Sequence, residues 1–99
     1  MLNIKKEQQG EAAIVSLEGH LDTNTARELE EELKDVLLQT TSLTLDFEKL
    51  EYVSSAGLRV LLSAHKIMSG KGEMKLVHVS EAVMEIFDIT GFSDVLNIE

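Results

Sequence analysis

Apolar and polar residues change their spacing along the chain, and each change marks the boundary of a predicted element. The short β-branched and apolar run Leu43–Phe47 is typical of a strand. Apolar residues then recur every three or four positions from Leu58 to Met68, which predicts a helix over Ser55–Met68. A polar connection separates the two, so the pattern places Ser54-Ser55-Ala56-Gly57 at a strand-to-helix junction.

The same reasoning predicts four further strands and two further helices. A hairpin is expected around a turn at Gln8–Gly10, and Glu18–Asp22 is expected to be a connection. The further strands are predicted at Leu2–Glu7, Ala12–Leu17, Met74–Val79 and Val95–Ile98. The further helices begin near Asp22–Thr25 and at Ser80, and they end at Gln39–Thr41 and at Thr90–Gly91.

Both of these helices combine a polar start with an apolar stripe. In the first, Thr25 and Glu28 have the spacing of a capping box, and Asn24 is an equally good cap. In the last, Ser80 is the predicted cap. The stripes expected to face the sheet are Ala26, Leu29, Leu33, Val36 and Leu37 in the first helix, and Ala82, Val83, Ile86 and Phe87 in the last.

The element order β-β-α-β-α-β-α-β predicts an α/β fold. Alternating strands and helices imply parallel pairing, and the hairpin adds an antiparallel strand. We therefore expect a small mixed sheet of about four or five strands with helices packed against it, in one domain over residues 1–99. No apolar run is long enough for a membrane span and no signal peptide is recognisable. The absence of cysteine fits a cytoplasmic protein.

The charge balance narrows the range of partners. The chain has 18 acidic and 9 basic residues, a net charge of −9. Binding to nucleic acid requires clustered Lys and Arg, so no direct nucleic-acid partner is expected. The same acidity works against adhesion to anionic membranes. A protein partner with a basic patch is the better expectation.

Ser54 and Ser55 are the first candidates for chemistry. In an open α/β sheet, the loops that leave the carboxyl ends of parallel strands form the usual functional edge. The first N–H groups of a helix are unpaired and carry the positive end of its dipole, so a phosphate attached there is favoured. Each serine also fits the plain role of an N-cap, which is common for this residue type. The two interpretations are compatible.

A catalytic role is not expected. The nucleophile-elbow pattern is absent, since Val53 stands two residues before Ser55. The histidines His20, His65 and His78 are scattered and offer neither a base beside the hydroxyl nor a metal-binding spacing. The glycines form no dinucleotide fingerprint and no P-loop. The sequence therefore predicts a non-enzyme with no cofactor and no metal.

Two aspartates are the other candidates for the functional edge. Asp22 stands where a strand leads into the first helix, and Asp46 stands near the end of the strand before the serines. Both are expected to line the edge that carries Ser55 and to shape its electrostatics. A simple turn or cap role fits each of them equally well.

Several segments carry a resemblance to a known family. They are Gly19–Asp22 before a helix, Leu43–Phe47, Tyr52–Leu58 with its serine–serine–alanine–glycine sequence, and Thr90–Phe92 near the end. These segments resemble the STAS domain of bacterial anti-sigma-factor antagonists, over nearly the whole chain. The fold that this resemblance implies, a small mixed sheet with helices packed against it, agrees with the element order.

The resemblance implies a partner switch controlled by phosphorylation. In that scheme the unphosphorylated antagonist binds an anti-sigma factor that is also a serine kinase. Phosphorylation of the antagonist ends binding, and a PP2C-type phosphatase restores it. Ser55 corresponds to the phosphorylated serine, and Ser54, the second choice, stands where the family often has Asp. The residues implied in partner binding are Asp22, Thr23, Asp46, Ser54, Ser55, Ala56, Gly57, Leu58 and Arg59.

A second interpretation stays open at this point. Other members of the wider family are transporter tails, stress-complex subunits or partners of lipid-transport systems, and not all of them are phosphorylated. In this interpretation the chain is a non-phosphorylated STAS scaffold or accessory subunit that binds through the same edge.

Overall fold

A four-stranded mixed sheet and three α-helices make up the computed structural model, which describes residues 2–99. The strands are β1 (Leu2–Gln9), β2 (Ala12–Leu21), β3 (Ser42–Val53) and β4 (Glu73–Val77), and the helices are α1 (Thr23–Gln39), α2 (Ser55–Ser69) and α3 (Glu81–Thr90). The sheet order is β1-β2-β3-β4. The β1–β2 pair is antiparallel and the other two pairs are parallel. The predicted mixed α/β fold is confirmed.

The core lies on one face of the sheet. Along β2 the side chains of Ala13, Val15 and Leu17 are buried, while Ile14 between them is 45% exposed. Because side chains alternate across a strand, this pattern means that one face is covered and the other is open. The buried stripe predicted for α1 is confirmed, and with the buried residues of α2 and α3 it completes one cluster against the covered face.

Strand β3 is much longer than the sequence pattern indicated. It continues from Phe47 to Val53, where a polar connection was predicted. Its pairing with β2 shifts register twice, between Ser16 and Glu18 and between Gly19 and His20. Each shift adds a residue to β3, so its buried positions change from a spacing of two to a spacing of three, and the alternation typical of a strand is lost.

Strand β2 also extends beyond its predicted end. The segment Glu18–Leu21 belongs to β2, so the predicted connection over Glu18–Asp22 is wrong for all but its last residue. Gly19 sits at the second register shift with a φ of 109°, a conformation that L side chains rarely adopt. Glycine at this position therefore allows β2 to continue through the register shift.

The end of the chain differs from the prediction of a strand over Val95–Ile98. A 3-10 turn at Phe92–Asp94 is followed by a single parallel bridge between Ile98 and Leu76. Strand β4 ends at Val77, two residues earlier than predicted, and His78 has a φ of 58°. The last residues therefore meet β4 only near its end, which is too short a contact for a strand.

The boundaries of α3 follow the predicted signals. The hydroxyl of Ser80 accepts a hydrogen bond from the Val83 N–H at 3.2 Å, and Gly91 ends the helix with a φ of 82°. Val83 and Phe87 are fully buried, but Ala82 is exposed, which corrects its predicted place in the buried face. Within residues 2–99, no helix is both long and apolar enough to cross a membrane.

Candidate functional site

Two helices start side by side at the carboxyl edge of the sheet. Leu21 and Val53, the last residues of β2 and β3, are paired in register. The Ser54 N–H donates to the Leu21 carbonyl at 2.8 Å, which joins the two strand ends just before α2 begins. The edge therefore brings Asp22, which precedes α1, and Ser55, the first residue of α2, to the same end of the molecule.

Ser54 is the N-cap of α2. Its Oγ accepts a hydrogen bond from the Gly57 N–H at 3.2 Å, and its carbonyl accepts one from the Leu58 N–H at 2.9 Å. The residue is only 8% exposed. The hydroxyl of Ser54 is thus committed to satisfying the helix start, which is the plain role that the sequence left open for either serine.

Ser55 has the opposite environment. It is the first residue of α2 and its side chain is exposed. Within residues 2–99, its Oγ forms no hydrogen bond to another side chain or to the backbone. A hydroxyl placed there is open to an incoming enzyme, and negative charge added to it is favoured by the positive end of the helix dipole.

Gly57 allows α2 to start close to β2. A Cβ atom at this position would stand 2.7 Å from Leu21 Cγ and 3.1 Å from the Leu21 carbonyl oxygen. Gly57 and Leu58 are both buried, so their role at the site is to pack the start of α2 against the core. The small size of Gly57 is therefore required by packing inside the molecule. Among the other residues implied in partner binding, Ala56 is half-buried and Arg59 is exposed.

Asp22 fixes the start of α1. Its Oδ1 accepts hydrogen bonds from the N–H groups of Asn24 at 3.0 Å and Thr25 at 2.9 Å. In return the Thr25 hydroxyl accepts from the Asp22 N–H at 2.8 Å, completing a capping box. The cap is therefore Asp22, and neither Asn24 nor Thr25. The Thr25 N–H is the main cause that lowers the pKa of Asp22. Thr23 follows as an exposed residue.

Asp46 does not lie at this edge. It is in the middle of β3, seven residues before Val53, which separates it from the edge by roughly 20 Å at about 3.3 Å per residue. The expectation that Asp46 lines the same edge as Ser55 is wrong, because it relied on β3 ending near Phe47.

Asp46 instead pairs with His78 after β4. Asp46 Oδ1 lies 3.0 Å from His78 Nδ1 and accepts from the Glu48 N–H at 3.0 Å. Partial burial raises the pKa of Asp46, but the hydrogen bonds from Glu48 and His78 lower it overall. The hydrogen bond to Asp46, followed by its charge, raises the pKa of His78. Asp46, Glu48 and His78 could each offer a metal ligand atom, all within 4.8 Å of one another.

Reasoning from the sequence missed an aromatic pair near the edge. The rings of His20 and Tyr52 lie 6.5 Å apart, on adjacent residues of the paired strands β2 and β3. Both residues are exposed, Tyr52 by 45%. His20 was expected in a loop, and only the register between the two strands reveals that the rings meet.

Comparisons with known proteins agree with this architecture. The model of the STAS domain family matches residues 3–99. The anti-sigma-B factor antagonist of Bacillus subtilis is 30% identical over 98 residues, covering 98% of this chain and 90% of that protein. An anti-sigma factor antagonist from Mycobacterium paratuberculosis has a similar structure, with a TM-score of 0.89, 21% identity, and coverage of 99% of this chain and 85% of the other.

The anti-sigma factor antagonist SpoIIAA has been solved in two forms, and both resemble this fold. The unphosphorylated form has a TM-score of 0.84 at 19% identity and covers 98% of this chain and 88% of that one. The phosphorylated form has a TM-score of 0.76 at 18% identity, and the match covers 98% of this chain and 91% of that one. The family match over residues 3–99 is the decisive finding, and by it the chain belongs to the STAS domain family.

Proposed function

We propose that the protein is a cytoplasmic anti-sigma-factor antagonist that works by partner switching. Unphosphorylated, it binds an anti-sigma factor that is also a serine kinase. Phosphorylation of Ser55 releases it, and a PP2C-type phosphatase removes the phosphate. The protein itself catalyses no reaction in this scheme.

The exposed hydroxyl of Ser55 is the observation that carries the proposal. Ser54 is 8% exposed and its Oγ is used by the helix start, whereas Ser55 is exposed at the first position of α2. A kinase needs an accessible hydroxyl, so the structure favours Ser55 over Ser54. The relatives support the partner, since the Bacillus subtilis protein is named an antagonist of an anti-sigma factor.

Phosphorylation at Ser55 would change the charge of a surface and leave the fold intact. A phosphate adds a charge of about −1.5 to −2 at pH 7. At the start of a helix this charge is well tolerated by the protein itself, because the helix dipole favours an anion there. A partner seated on the same edge has to accommodate both the charge and the bulk. The expected result is loss of binding with little loss of stability.

The test uses the serine-kinase anti-sigma factor that this proposal requires in the same organism. The purified protein is incubated with this kinase and ATP, and its intact mass is measured. The unaltered protein should gain one phosphate, and Ser55→Ala should gain none. Ser54→Ala is the matched control and should still gain one. Equal phosphate uptake by Ser55→Ala, or none by the unaltered protein, would contradict Ser55 as the switch.

A further inference from the structure

Both arginines of the chain occupy the same place in their helices. Arg27 is the fifth residue of α1 and Arg59 is the fifth residue of α2, and both helices start at the edge that carries Ser55. Both side chains are exposed, and within residues 2–99 neither forms an ion pair. Arginine presents a planar fork of donors that matches a carboxylate. The edge therefore offers two unpaired guanidinium groups.

An apolar groove of about 480 Å³ runs between the same two helices. Two of its side chains are well exposed, Leu38 by 80% and Ile67 by 48%. The groove is lined by Leu33, Leu37, Leu38, Val60, Ala64 and Ile67. Leu38 and Ile67 therefore form an exposed apolar rim over buried lining residues such as Leu33 and Ala64, which gives apolar side chains of a partner a place to pack.

The arginines stand at one end of this groove. On a helix, residues four or seven positions apart share a face. By this rule Arg27 shares a face with Lys34 of the groove, seven positions further on. Arg59 shares a face with Ser63 of the groove, four positions further on. Both arginines come earlier in their helices, so they lie at the end nearest Ser55.

The charges around the groove leave the arginines as its main available cations. Lys34 is paired with Glu31 at 3.3 Å, and the amino group of Lys71 is bonded to the Leu37 carbonyl. Glu30 lines the groove further along α1. The end of the groove beside Ser55 therefore carries two exposed arginines without an ion pair, close to the carboxylates of Glu28 and Glu30.

We propose that this groove binds a segment of the anti-sigma factor that presents apolar side chains followed by carboxylates. The apolar side chains fill the groove, and the carboxylates pair with Arg27 and Arg59. The inference rests on the proposed function, which supplies the partner. The net charge predicted a partner with a basic patch, whereas this inference predicts an acidic segment. The difference arises because binding depends on the charges at the contact surface, and here these include two exposed arginines.

The same arrangement identifies the side chain that a phosphate on Ser55 would bind. Ser55 and Arg59 are four positions apart on α2, which brings their Cβ atoms to about 5–6 Å from each other. A phosphate on Ser55 is then within reach of the Arg59 guanidinium and competes with the carboxylates of the partner. Release follows because one of the two cations is captured within the molecule.

The test measures binding of the same serine-kinase anti-sigma factor by calorimetry. Arg27→Gln combined with Arg59→Gln should weaken binding about tenfold. Lys49→Gln, an exposed cation on β3, is the matched control and should leave affinity unchanged. For the groove, Ile67→Ser should weaken binding, whereas Ile89→Ser, which is 79% exposed on α3, should not. Circular dichroism confirms that each variant is folded.

Different results separate this inference from the proposed function. If the unaltered protein binds and neither the arginine variant nor Ile67→Ser weakens that binding, the groove is not the binding site. The antagonist function would then still stand. Absence of binding by the unaltered protein would overturn both. Ser55→Asp should also weaken binding less in an Arg59→Gln background than in the unaltered one. An equal loss in the two backgrounds would refute capture of Arg59.

Discussion

Substitution of Gly57 by Ala tests whether the close approach of α2 to β2 is required. The new Cβ would lie 2.7 Å from Leu21 Cγ and 2.9 Å from Leu21 Cδ2. Leu21 is fully buried in the core cluster, so a shift of its side chain would disturb its neighbours in the core. Forcing an extra carbon into a packed core typically costs about 1–3 kcal/mol. Alanine is also a better helix former than glycine by about 1 kcal/mol.

The clash should outweigh the gain in helix propensity. The expected result is a net loss of roughly 1 kcal/mol in the free energy of unfolding, measured from urea denaturation curves. Because the start of α2 must shift to relieve the contact, Ser55 should also be displaced, and binding to the anti-sigma factor should weaken.

Gly70 provides the matched control at the other end of the same helix. A Cβ at Gly70 would meet nothing closer than the Ile67 carbonyl oxygen at 3.7 Å, and its φ of −83° suits alanine. Gly70→Ala should therefore be neutral or stabilise the protein by up to about 1 kcal/mol. If Gly57→Ala stabilised the protein as Gly70→Ala does, the packing argument would be wrong.

Two further predictions concern pH. His78 has a pKa raised above 6.5 by Asp46, so the pair stabilises the fold fully below pH 6.5 and the contribution is lost as the pH rises through the raised value. In an NMR titration His78 should titrate at higher pH in the unaltered protein than in Asp46→Asn, and identical titrations would refute the pairing. Asp22 has a pKa lowered below 3.8, so its cap stabilises the fold above that pH and the contribution is lost as the pH falls through the lowered value. Asp22→Ala should lower the urea midpoint at pH 7, and the difference should shrink in acid; a constant difference would contradict the charged cap.

The helices were predictable because their signals are local. The buried stripe of α1, the Ser80 cap and the Gly91 stop of α3 all depend on residues within a few positions of each other. The cap of α1 was left open among Asp22, Asn24 and Thr25, since several polar residues in a row each fit the role. Only the hydrogen bonds of Asp22 decide between them.

The strand ends were not predictable for a physical reason. Two bulges in β3 break the alternation after Phe47, and their positions are set by pairing with β2, which is distant in the sequence. Because β3 was predicted to end near Phe47, Asp46 was expected at the edge beside Ser55. The structure puts Asp46 beside His78 instead.

The sequence predicted the position of the two serines, and only the resemblance preferred Ser55 to Ser54. A strand followed by a helix placed two serines at the edge, and residue types alone could not say which one caps the helix. Burial and the bond from the Gly57 N–H assign that role to Ser54. The contact between Gly57 and Leu21 likewise depends on tertiary packing.

Binding of the anti-sigma factor before and after phosphorylation tests the central claim most directly. The protein is phosphorylated by the serine-kinase anti-sigma factor, and homogeneous modification at Ser55 is verified by peptide mass spectrometry. Both forms are then titrated into the anti-sigma factor by calorimetry. The account predicts tight binding by the unmodified protein and a loss of at least about a hundredfold for the form carrying phosphate on Ser55. Equal affinity of the two forms would contradict it.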